Sequence, residues 1–599
     1  MTNDNRYSIN RVSLIAKGQG AFLGAAVGDA LGWPQEMPSK SVDQQTGSSE
    51  RSLVNEFQRW VRKSGGRYYL HEEVILPGEY SDDTQLILCT ARSLFYGSQW
   101  WHHLTKQELP TWTCYERGGG GATKRAAQEW LTGLKPWSSP QNKKRYFDAG
   151  GNGVAMRVMP HCLLGAATDD FRVIAKNIVA NGVCTHGHPR ALVGALAYGF
   201  AVWMAFRETG TLKYGAIIEK VLSGVKSWSV LPDLDDICPA WRRSAFEVSG
   251  GQYDEYWQMT ITDMLRLLEQ CREAMKQGAL SVEQEVLTEL GCFDQSIKGA
   301  GTITAAASIF LASRYAADPF HGLVEAGFAH GADTDTIASM TGGLLGAMAG
   351  SEWLKDHAEK VQDAQYLRAL GESLARNEVT SHITKTTKTH LDSLSEKLKA
   401  SKPGDSVLLP DGREAQTSAL QHHQSLSKTT VAVSWKLTTA DGQSFYIKKL
   451  SRPKTDMDMK AETLSSAIPD KRPSVELQPV NVINTAVKLP VRNMAEARFF
   501  YERVLGLKVE KESEVLVKCG GIVLVPLDYK KSLVQESESF YPKMTTTIYI
   551  EIKSLEEAHN NVCQVKAKIL QPISERRGRR FFTCLDPDGN AVEIFEVVF

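Results

Sequence analysis

The sequence lacks a net charge, since 69 lysines and arginines balance 69 aspartates and glutamates in its 599 residues. No overall field therefore draws the chain toward nucleic acid or an anionic membrane. Its first ten residues, MTNDNRYSIN, are polar and lack the apolar core of a signal peptide. The longest apolar run, 191–206, is short for a membrane span and lies between two arginines, so it predicts a buried helix.

Cysteine is sparse as well. The ten cysteines are scattered along the chain without a CxxC motif or a regular spacing. This pattern argues against a disulfide framework and against a zinc site, and it favours free thiols in a reducing compartment. We therefore expect a cytoplasmic protein with no membrane partner.

The chain is too long for one hydrophobic core and predicts about three domains. Residues 12–375 carry apolar residues at three- and four-residue spacing without strand-like alternation, which predicts a compact all-α domain. Residues 380–479 are polar and predict a connector with a small β element, a hairpin that turns at Asp441-Gly442. Residues 482–599 repeat a βαβββ pattern twice, which predicts an α+β domain.

Two acidic segments, Ser81-Asp82-Asp83-Thr84 and Asp333-Thr334-Asp335-Thr336, each open an apolar, helix-patterned run. Either segment alone is equally well explained by capping, because these residue types satisfy helix N-termini. If the fold brings the four carboxylates together, they repel by about 4 kcal/mol per pair at 4 Å and an effective dielectric near 20. Two divalent cations would balance the four charges, and the all-oxygen donor set suits Mg²⁺, Mn²⁺ or Ca²⁺ better than zinc.

Three further motifs accompany the acidic pair in order along the chain. They are GQGAFLGAAVGDALGWPQE at 18–36, GGNGVAMRVMP at 150–160 and THGHPRAL at 185–192. Together the five motifs resemble the ADP-ribosylglycohydrolase family of the dinitrogenase-reductase-activating-glycohydrolase type, over about residues 12–375. The resemblance implies an all-α fold, a site for two Mg²⁺ ions with Mn²⁺ as a substitute, and release of ADP-ribose from a modified target.

The resemblance also implies roles for single residues. The metal ligands that it implies are Ser81, Asp82, Asp83, Asp333, Asp335 and Thr336. Asp82 or Asp83 would activate water, and Glu36 would contact the scissile side. The substrate-binding residues would be Gly151, Asn152, Gly153, Arg157 and His186.

Purely structural roles are an alternative for several of these residues. A glycine-rich segment is usually a turn, Arg157 could face a helix C-terminus, and a lone histidine such as His186 is more often structural. The segment GGGGAT at 118–123 could be a ligand-facing loop or a flexible linker, and we favour the loop.

Glycines recur every fourth residue at 20, 24, 28 and 32, and again at 342, 346 and 350. A glycine inside a helix costs about 1 kcal/mol relative to alanine, so two such stripes need a structural reason. We expect the two helices to pack closely on each other or on a common neighbour, which would bring GDALG near DTDT.

The C-terminal pattern, with FFYERVLGL and a closing DPDGN turn, resembles the glyoxalase/bleomycin-resistance (vicinal oxygen chelate) fold. Its usual metal-ligand positions fall at Ala486, near Leu524, at Thr547 and at Glu593, and only Glu593 keeps a ligand type. We therefore expect no cofactor in this domain. It would instead bind a ligand or partner, or support a homodimer.

Three functions follow from these observations. The leading one is a Mg²⁺-dependent hydrolase that removes ADP-ribose from a protein side chain, a nucleic acid or a small ADP-ribosyl compound. A sensor that binds ADP-ribose without turnover is the first alternative, and the intact acidic pairs argue against it. A glyoxalase-like enzyme acting through the C-terminal domain is the second alternative, and the lost ligands disfavour it.

Overall fold

The structure is a computed structural model, and it divides into two compact units, Met1–Ser465 and Ser466–Phe599. The residues that it describes in the first unit are 11–36, 55–65, 70–210, 213–278, 282–329, 331–380, 385–426 and 431–451. Those in the second unit are 487–491, 493–505, 507–513, 516–519, 522–526, 548–551, 554–565, 567–576, 579–586 and 591–597.

The first unit is mainly helical, as predicted. Its α-helices are α1 (Arg11–Glu36), α2 (Asp82–Leu94), α3 (Trp100–His103), α4 (Leu109–Trp112), α5 (Gly121–Leu131), α6 (Lys143–Phe147), α7 (Met159–Leu164), α8 (Phe171–Val183), α9 (Pro189–Arg207), α10 (Ala216–Ser223), α11 (Val225–Trp228), α12 (Trp241–Val248), α13 (Tyr253–Gln277), α14 (Glu283–Leu290), α15 (Gly301–Arg314), α16 (Pro319–Gly327), α17 (Thr334–Ala349), α18 (His357–Lys360), α19 (Ala364–Ala375) and α20 (Lys388–Ala400).

Helices α1 and α17 form an antiparallel pair whose backbones touch along the two glycine stripes. A Cβ atom added to Gly24 would lie 2.3 Å from the Gly342 carbonyl oxygen, and one added to Gly346 would lie 2.1 Å from the Gly20 carbonyl oxygen. Only glycine fits at such distances. The expected packing of the stripes on each other is confirmed, and it places the end of α1 beside the start of α17.

The apolar run 191–206 lies inside α9, as predicted. By length and composition this helix could cross a membrane, but 89% of its most apolar window is buried within the protein. Its Gly194 approaches the Gly301 carbonyl oxygen of α15, where an added Cβ would lie at 2.2 Å. Helix α9 is thus a core helix of the first unit.

The first unit also contains a six-stranded antiparallel sheet. Its strands are β1 (Trp60–Ser64), β2 (His71–Ile75), β3 (Ser406–Leu408), β4 (Glu414–Ser425), β5 (Val431–Thr439) and β6 (Ser444–Ser451), in the order β1-β2-β4-β5-β6 with β3 on β4. We refer to β3–β6, residues 406–451, as the β extension.

The sheet corrects one expectation and confirms another. The helical region was expected to hold no strands, yet the β1–β2 hairpin lies between α1 and α2 in the chain. Strand β2 pairs with β4 of the β extension, with His71 opposite Ser425. The hairpin predicted around Asp441-Gly442 is confirmed as β5–β6. The three domain bounds stay a prediction, but the β extension lies in the same compact unit as the helices.

The second unit contains two four-stranded sheets. The first has the order β7-β10-β9-β8, and the second has the order β11-β14-β13-β12. The elements are β7 (Val487–Val491), α21 (Met494–Phe499), β8 (Val509–Ser513), β9 (Leu516–Cys519), β10 (Ile522–Pro526), β11 (Ile548–Glu551), α22 (Leu555–Gln564), β12 (Ile569–Arg576), β13 (Arg579–Leu585) and β14 (Ala591–Val597). In each module the first strand in chain order pairs in parallel with the last one, β7 with β10 and β11 with β14. This pairing confirms the two predicted βαβββ modules.

Candidate metal centre and substrate cavity

The first acidic segment forms the start of α2. Ser81 is the N-cap, and its hydroxyl accepts a hydrogen bond from Asp83 N at 3.3 Å. Asp29 of the GDALG motif in α1 is fully buried and accepts from Ser81 N at 2.9 Å and from Thr84 Oγ1 at 2.7 Å. No sequence pattern marks Asp29 for a role, but its side chain fixes the turn that carries Asp82 and Asp83.

The second acidic segment forms the start of α17, with Asp333 as its N-cap. Thr334 Oγ1 donates to the Gly32 carbonyl oxygen of α1 at 2.8 Å. Thr336 Oγ1 donates to Asp83 Oδ2 at 3.3 Å, so a hydrogen bond joins the two acidic segments directly. The juxtaposition that the sequence only suggested is therefore present in the fold.

Five carboxylates gather where the two helix N-termini meet. One oxygen each from Glu36, Asp333 and Asp335 lies within 4.8 Å of the other two, and Asp82 and Asp83 line the same cavity. Burial raises the pKa of Asp82 to about 8. Burial and the neighbouring carboxylates also raise the pKa values of Glu36, Asp83 and Asp335. Without a cation, these groups can reduce their mutual repulsion only by holding protons.

The carboxylates face a cavity of about 480 Å³, which is within the usual size range of small-molecule sites. The residues that line it are Glu36, Asp82, Asp83, Gly118, Gly120, Gly121, Ala122, Thr123, Arg125, Arg145, Asp148, Ala149, Gly151, Asn152, Gly153, Met156, His186, Asp333, Asp335 and Thr336. Of the predicted site residues, only Ser81 and Arg157 are missing from this lining. The structure thus gathers nearly the whole predicted site around one cavity.

The predicted substrate loop is attached to the acidic cluster. Asn152 Nδ2 donates to Asp333 Oδ2 at 3.0 Å and to Thr304 Oγ1 at 3.1 Å, and Asn152 N donates to the Gly299 carbonyl oxygen at 2.9 Å. Asn152 therefore orients a predicted metal ligand as well as its own loop. The family resemblance implies only a substrate-binding role for Asn152.

His186 lies beneath the same loop. Its Nδ1 is 2.7 Å from Thr185 Oγ1, and a Cβ atom on Gly153 would lie 3.0 Å from its Cε1. Burial lowers the pKa of His186 to about 3, so the ring is neutral at physiological pH. A neutral imidazole in the lining can accept or donate one hydrogen bond to a ligand.

Arg157 corrects a prediction. Its guanidinium is buried and donates to Asn181 Oδ1 at 2.7 Å, to the Gly153 carbonyl oxygen at 2.6 Å and to Thr185 Oγ1 at 2.8 Å. These protein acceptors occupy it behind the loop, so it supports Gly153 and Thr185 and is not among the residues that line the cavity. The sequence shows that an arginine is present but not which way its side chain points.

The segment 118–123 lines the cavity, so it is the ligand-facing loop that we favour over a flexible linker. Gly118 has a φ of +108°, and a Cβ atom there would lie 2.9 Å from Asp82 Oδ1. Its backbone therefore packs directly against a predicted metal ligand, in a conformation that only glycine adopts readily.

The mouth of the cavity carries charges that sequence analysis did not single out. Arg125, Arg145 and Asp148 line it and are exposed. Neither arginine forms an ion pair with a residue in the described part of the chain. No motif marked them, because exposed arginines are common on every protein surface.

In the second unit, Glu593 lies on β14 between Tyr549 of β11 and Thr583 of β13. Leu524, at the second expected ligand position, is a buried core residue of β10. Ala486 and Thr547 lie outside the described residues. The expectation that this domain takes no cofactor stays a prediction.

Comparisons with known proteins agree with these features. The ADP-ribosylglycohydrolase family model matches residues 10–383, and that of the Glyoxalase/Bleomycin resistance protein/Dioxygenase superfamily matches residues 482–594. The ADP-ribosyl-[dinitrogen reductase] glycohydrolase of Rhodospirillum rubrum is 30% identical over 184 residues, which are 30% of this chain and 54% of that protein. The chain thus spans about half the length of this curated relative.

Two solved structures are similar to parts of the chain at lower identity. A chain described as an ADP-ribosylglycohydrolase-related protein complex is 21% identical, with a TM-score of 0.39, and the match covers 61% of this chain and 100% of that one. A glyoxalase/bleomycin resistance protein/dioxygenase from Alicyclobacillus acidocaldarius is 18% identical, with a TM-score of 0.16, over 19% of this chain and 90% of that one. Since its family match spans more than half of its length, the chain belongs to the ADP-ribosylglycohydrolase family and carries a C-terminal domain of the glyoxalase superfamily.

Proposed function

We propose that this protein is a Mg²⁺-dependent hydrolase that cleaves the glycosidic bond between ADP-ribose and a modified target. The observation that carries the proposal is the carboxylate cluster, in which oxygens of Glu36, Asp333 and Asp335 lie within 4.8 Å of one another in the cavity that Asp82 and Asp83 also line. Family membership supports the reaction class.

The donor set fits hard divalent cations. Asp83 lines the cavity, and its Oδ1 is buried with no hydrogen-bond partner among the described residues, so this oxygen is available to a cation. The donors are carboxylate and hydroxyl oxygens, which Mg²⁺ prefers, with Mn²⁺ as a substitute. Two ions would be held by Asp82, Asp83, Asp333, Asp335 and Thr336. Ser81 remains a candidate ligand through its hydroxyl, and Glu36 joins the set.

When bound, the two cations would orient the ribose hydroxyls, polarise the glycosidic linkage and lower the pKa of a water molecule. Hydrolysis forms a bond from the water oxygen to C1″ of the ribose, and the bond from C1″ to the target breaks. Asp82 or Asp83 accepts the proton of the attacking water, and the departing target takes up a proton. Positive charge develops on the sugar as the bond breaks, and the surrounding carboxylates stabilise it.

The remaining walls would hold the rest of the ADP-ribosyl group. The backbone at Gly151 and Gly153 can approach a pyrophosphate closely, since neither residue has a side chain. Neutral His186 offers one hydrogen bond beside this loop. Glu36 lies at the end of α1 in the acidic cluster, where it can contact the scissile side as well as a cation.

The target is proposed at the level of its class. The named relative acts on an ADP-ribosylated protein, which favours a modified protein side chain as the partner. An ADP-ribosylated nucleic acid or a small ADP-ribosyl compound would present the same ADP-ribosyl group to the cavity.

The proposal is tested by measuring release of free ADP-ribose from ADP-ribosyl-arginine, ADP-ribosyl-serine and ADP-ribosylated nucleic acid, each with Mg²⁺ or with EDTA. The variants are Asp335→Asn, within the cluster, and the matched control Asp263→Asn, whose side chain is exposed on α13. We expect release that requires Mg²⁺, is lost in Asp335→Asn and is unchanged in Asp263→Asn.

Two results would contradict the proposal. Release that is unaffected by EDTA would show that the reaction needs no divalent cation in the acidic cluster. Tight ADP-ribose binding without release from any of the three substrates would favour the sensor.

A further inference from the structure

A buried ion cluster joins the β extension to the helical part of the first unit. On β6, Lys448 donates to Glu73 Oε2 of β2 at 2.6 Å, and the Tyr446 hydroxyl donates to Glu79 Oε1. Arg117 donates from Nε to Glu73 Oε1 at 3.1 Å and from Nη2 to Glu79 Oε2 at 2.8 Å. The two carboxylates and Arg117 are buried, so each depends on the others for its charge balance.

This cluster is linked to the candidate metal centre by two short stretches of chain. Glu79 lies only three residues before Asp82, the first residue of α2. Arg117 directly precedes Gly118, whose backbone packs against Asp82 Oδ1. A displacement of either Glu79 or Arg117 would therefore reach Asp82 through no more than three residues of backbone or one backbone contact.

A second contact holds the residue next to the metal motif. Tyr80, which precedes Ser81, donates its hydroxyl to Asp363 Oδ2 at 2.6 Å. The same oxygen accepts from Ser444 N, at the start of β6, at 3.0 Å. The β extension thus contacts both Glu79 and the carboxylate that holds Tyr80.

We propose that the β extension positions the candidate metal centre, with Tyr446 and Lys448 acting as positioning residues that hold Arg117 and, through Gly118, the carboxylate of Asp82. This inference rests on the proposed metal-dependent function. It assigns a role to residues beyond 383, where the family match ends. Metal ligands must be placed within about 0.2 Å, and outer partners of ligands change metal affinity by about 10- to 100-fold when they are removed.

The test measures Mg²⁺ binding to the full chain by calorimetry, without substrate. Tyr446→Phe removes one hydroxyl and keeps the ring beneath the Arg117 guanidinium, whose Cζ lies 4.1 Å from the ring centre. We expect its Kd for Mg²⁺ to rise by about threefold to tenfold, less than the effect of about 10- to 100-fold from removing a direct partner of a ligand, because Tyr446 acts on Asp82 through Glu79 and Arg117. Lys448→Met should act in the same direction, and the charge-conserving Lys448→Arg should restore most of the affinity.

Two control variants separate positioning from general loosening. Lys449→Met alters the next side chain on β6, which contacts Ser395 instead of the cluster. Arg413→Gln removes the hydrogen bond from the β extension to Tyr366 of α19 and a bond to Gln443 within the β extension, both away from Asp82. We expect Lys449→Met to change nothing, and Arg413→Gln to lower the melting temperature without changing the Kd for Mg²⁺.

The possible results are distinct. If the wild type binds Mg²⁺ and Tyr446→Phe binds it equally well, the positioning role is wrong while the metal centre stands. If Arg413→Gln loses as much affinity as Tyr446→Phe at the same loss of melting temperature, the effect is general loosening and the inference also fails. If the wild type binds no divalent cation, the proposed function and this inference fall together.

Discussion

The contact between Gly32 and Thr334 predicts that one added methyl group will weaken metal binding. A Cβ atom on Gly32 would lie 2.3 Å from the Thr334 carbonyl oxygen and 2.8 Å from Asp335 Cα. A close carbon–oxygen contact is about 3.3 Å, so Gly32→Ala must separate or slide α1 and α17 by about 1 Å. The displaced backbone is that of the DTDT segment itself.

The expected effect on the site is larger than the effect on stability. Ligand distances in a metal site tolerate about 0.2 Å, so a shift several times larger should raise the Kd for Mg²⁺ at least about tenfold. Overpacking costs about 1–3 kcal/mol, and the better helix propensity of alanine returns about 1 kcal/mol. The free energy of unfolding should therefore fall by about 0–2 kcal/mol, which leaves the protein folded.

Gly20→Ala is the matched control. Its Cβ atom would lie 2.3 Å from the Gly350 carbonyl carbon, in the same helix pair, about 18 Å from Gly32 along α1 at 1.5 Å per residue. We expect a similar loss of thermal stability and little change in Mg²⁺ affinity, measured by thermal unfolding and calorimetry. Equal Mg²⁺ affinity in Gly32→Ala and the wild type would refute the reasoning, because the backbone contact would then not determine the ligand geometry.

Further predictions concern pH, ligand orientation and the cavity mouth. Because burial raises the pKa of Asp82 to about 8, its contribution to stability is present below the unfolded pKa near 4 and is lost as the pH rises toward 8. The melting temperature of EDTA-treated protein should therefore fall between pH 5 and 8, and that of Mg²⁺-loaded protein should not. Asn152→Ala removes a donor to Asp333 Oδ2 and should raise the Kd for Mg²⁺ about tenfold in calorimetry. Arg125→Gln and Arg145→Gln should each weaken ADP-ribose binding about fivefold at low salt, which is equivalent to about 1 kcal/mol for an exposed charge pair. The loss should be smaller at high salt, because salt screens exposed charges, and titrations with ADP-ribose at two ionic strengths measure both values.

The parts of the site that sequence analysis predicted share a local signature. Asp82 and Asp335 sit in the first turns of their helices, where capping chemistry makes a segment recognisable from its own residues. The glycine stripes added long-range information, because repeated glycines in a helix are costly unless another backbone lies against them. Their spacing thus predicted a helix pair that the structure contains.

The parts that were missed depend on partners that no local pattern names. Asp29 accepts bonds from the start of α2, more than fifty residues away, and its own neighbours only predict a helix. Arg157 was expected to contact substrate, yet its acceptors are Asn181 and Thr185. Strand β1 is five residues long, and its hairpin becomes part of a sheet only when β2 meets β4 about 350 residues later.

The same reasoning explains why a change of composition near residue 380 is a poor guide to where the folded unit ends. The sequence predicted residues 380–479 as a connector with a small β element, a hairpin with its own turn at Asp441-Gly442. Its inner face, however, supplies Lys448 and Tyr446 to Glu73 and Glu79, and buried carboxylates are stable as anions only when such partners are present. Burial disfavours the charged form of Glu73, whereas Arg117 and Lys448 favour it. The two cations have the larger effect, because the pKa of Glu73 is held well below its usual range. The fold that carries the candidate metal centre therefore includes strands far beyond the motifs that identify it.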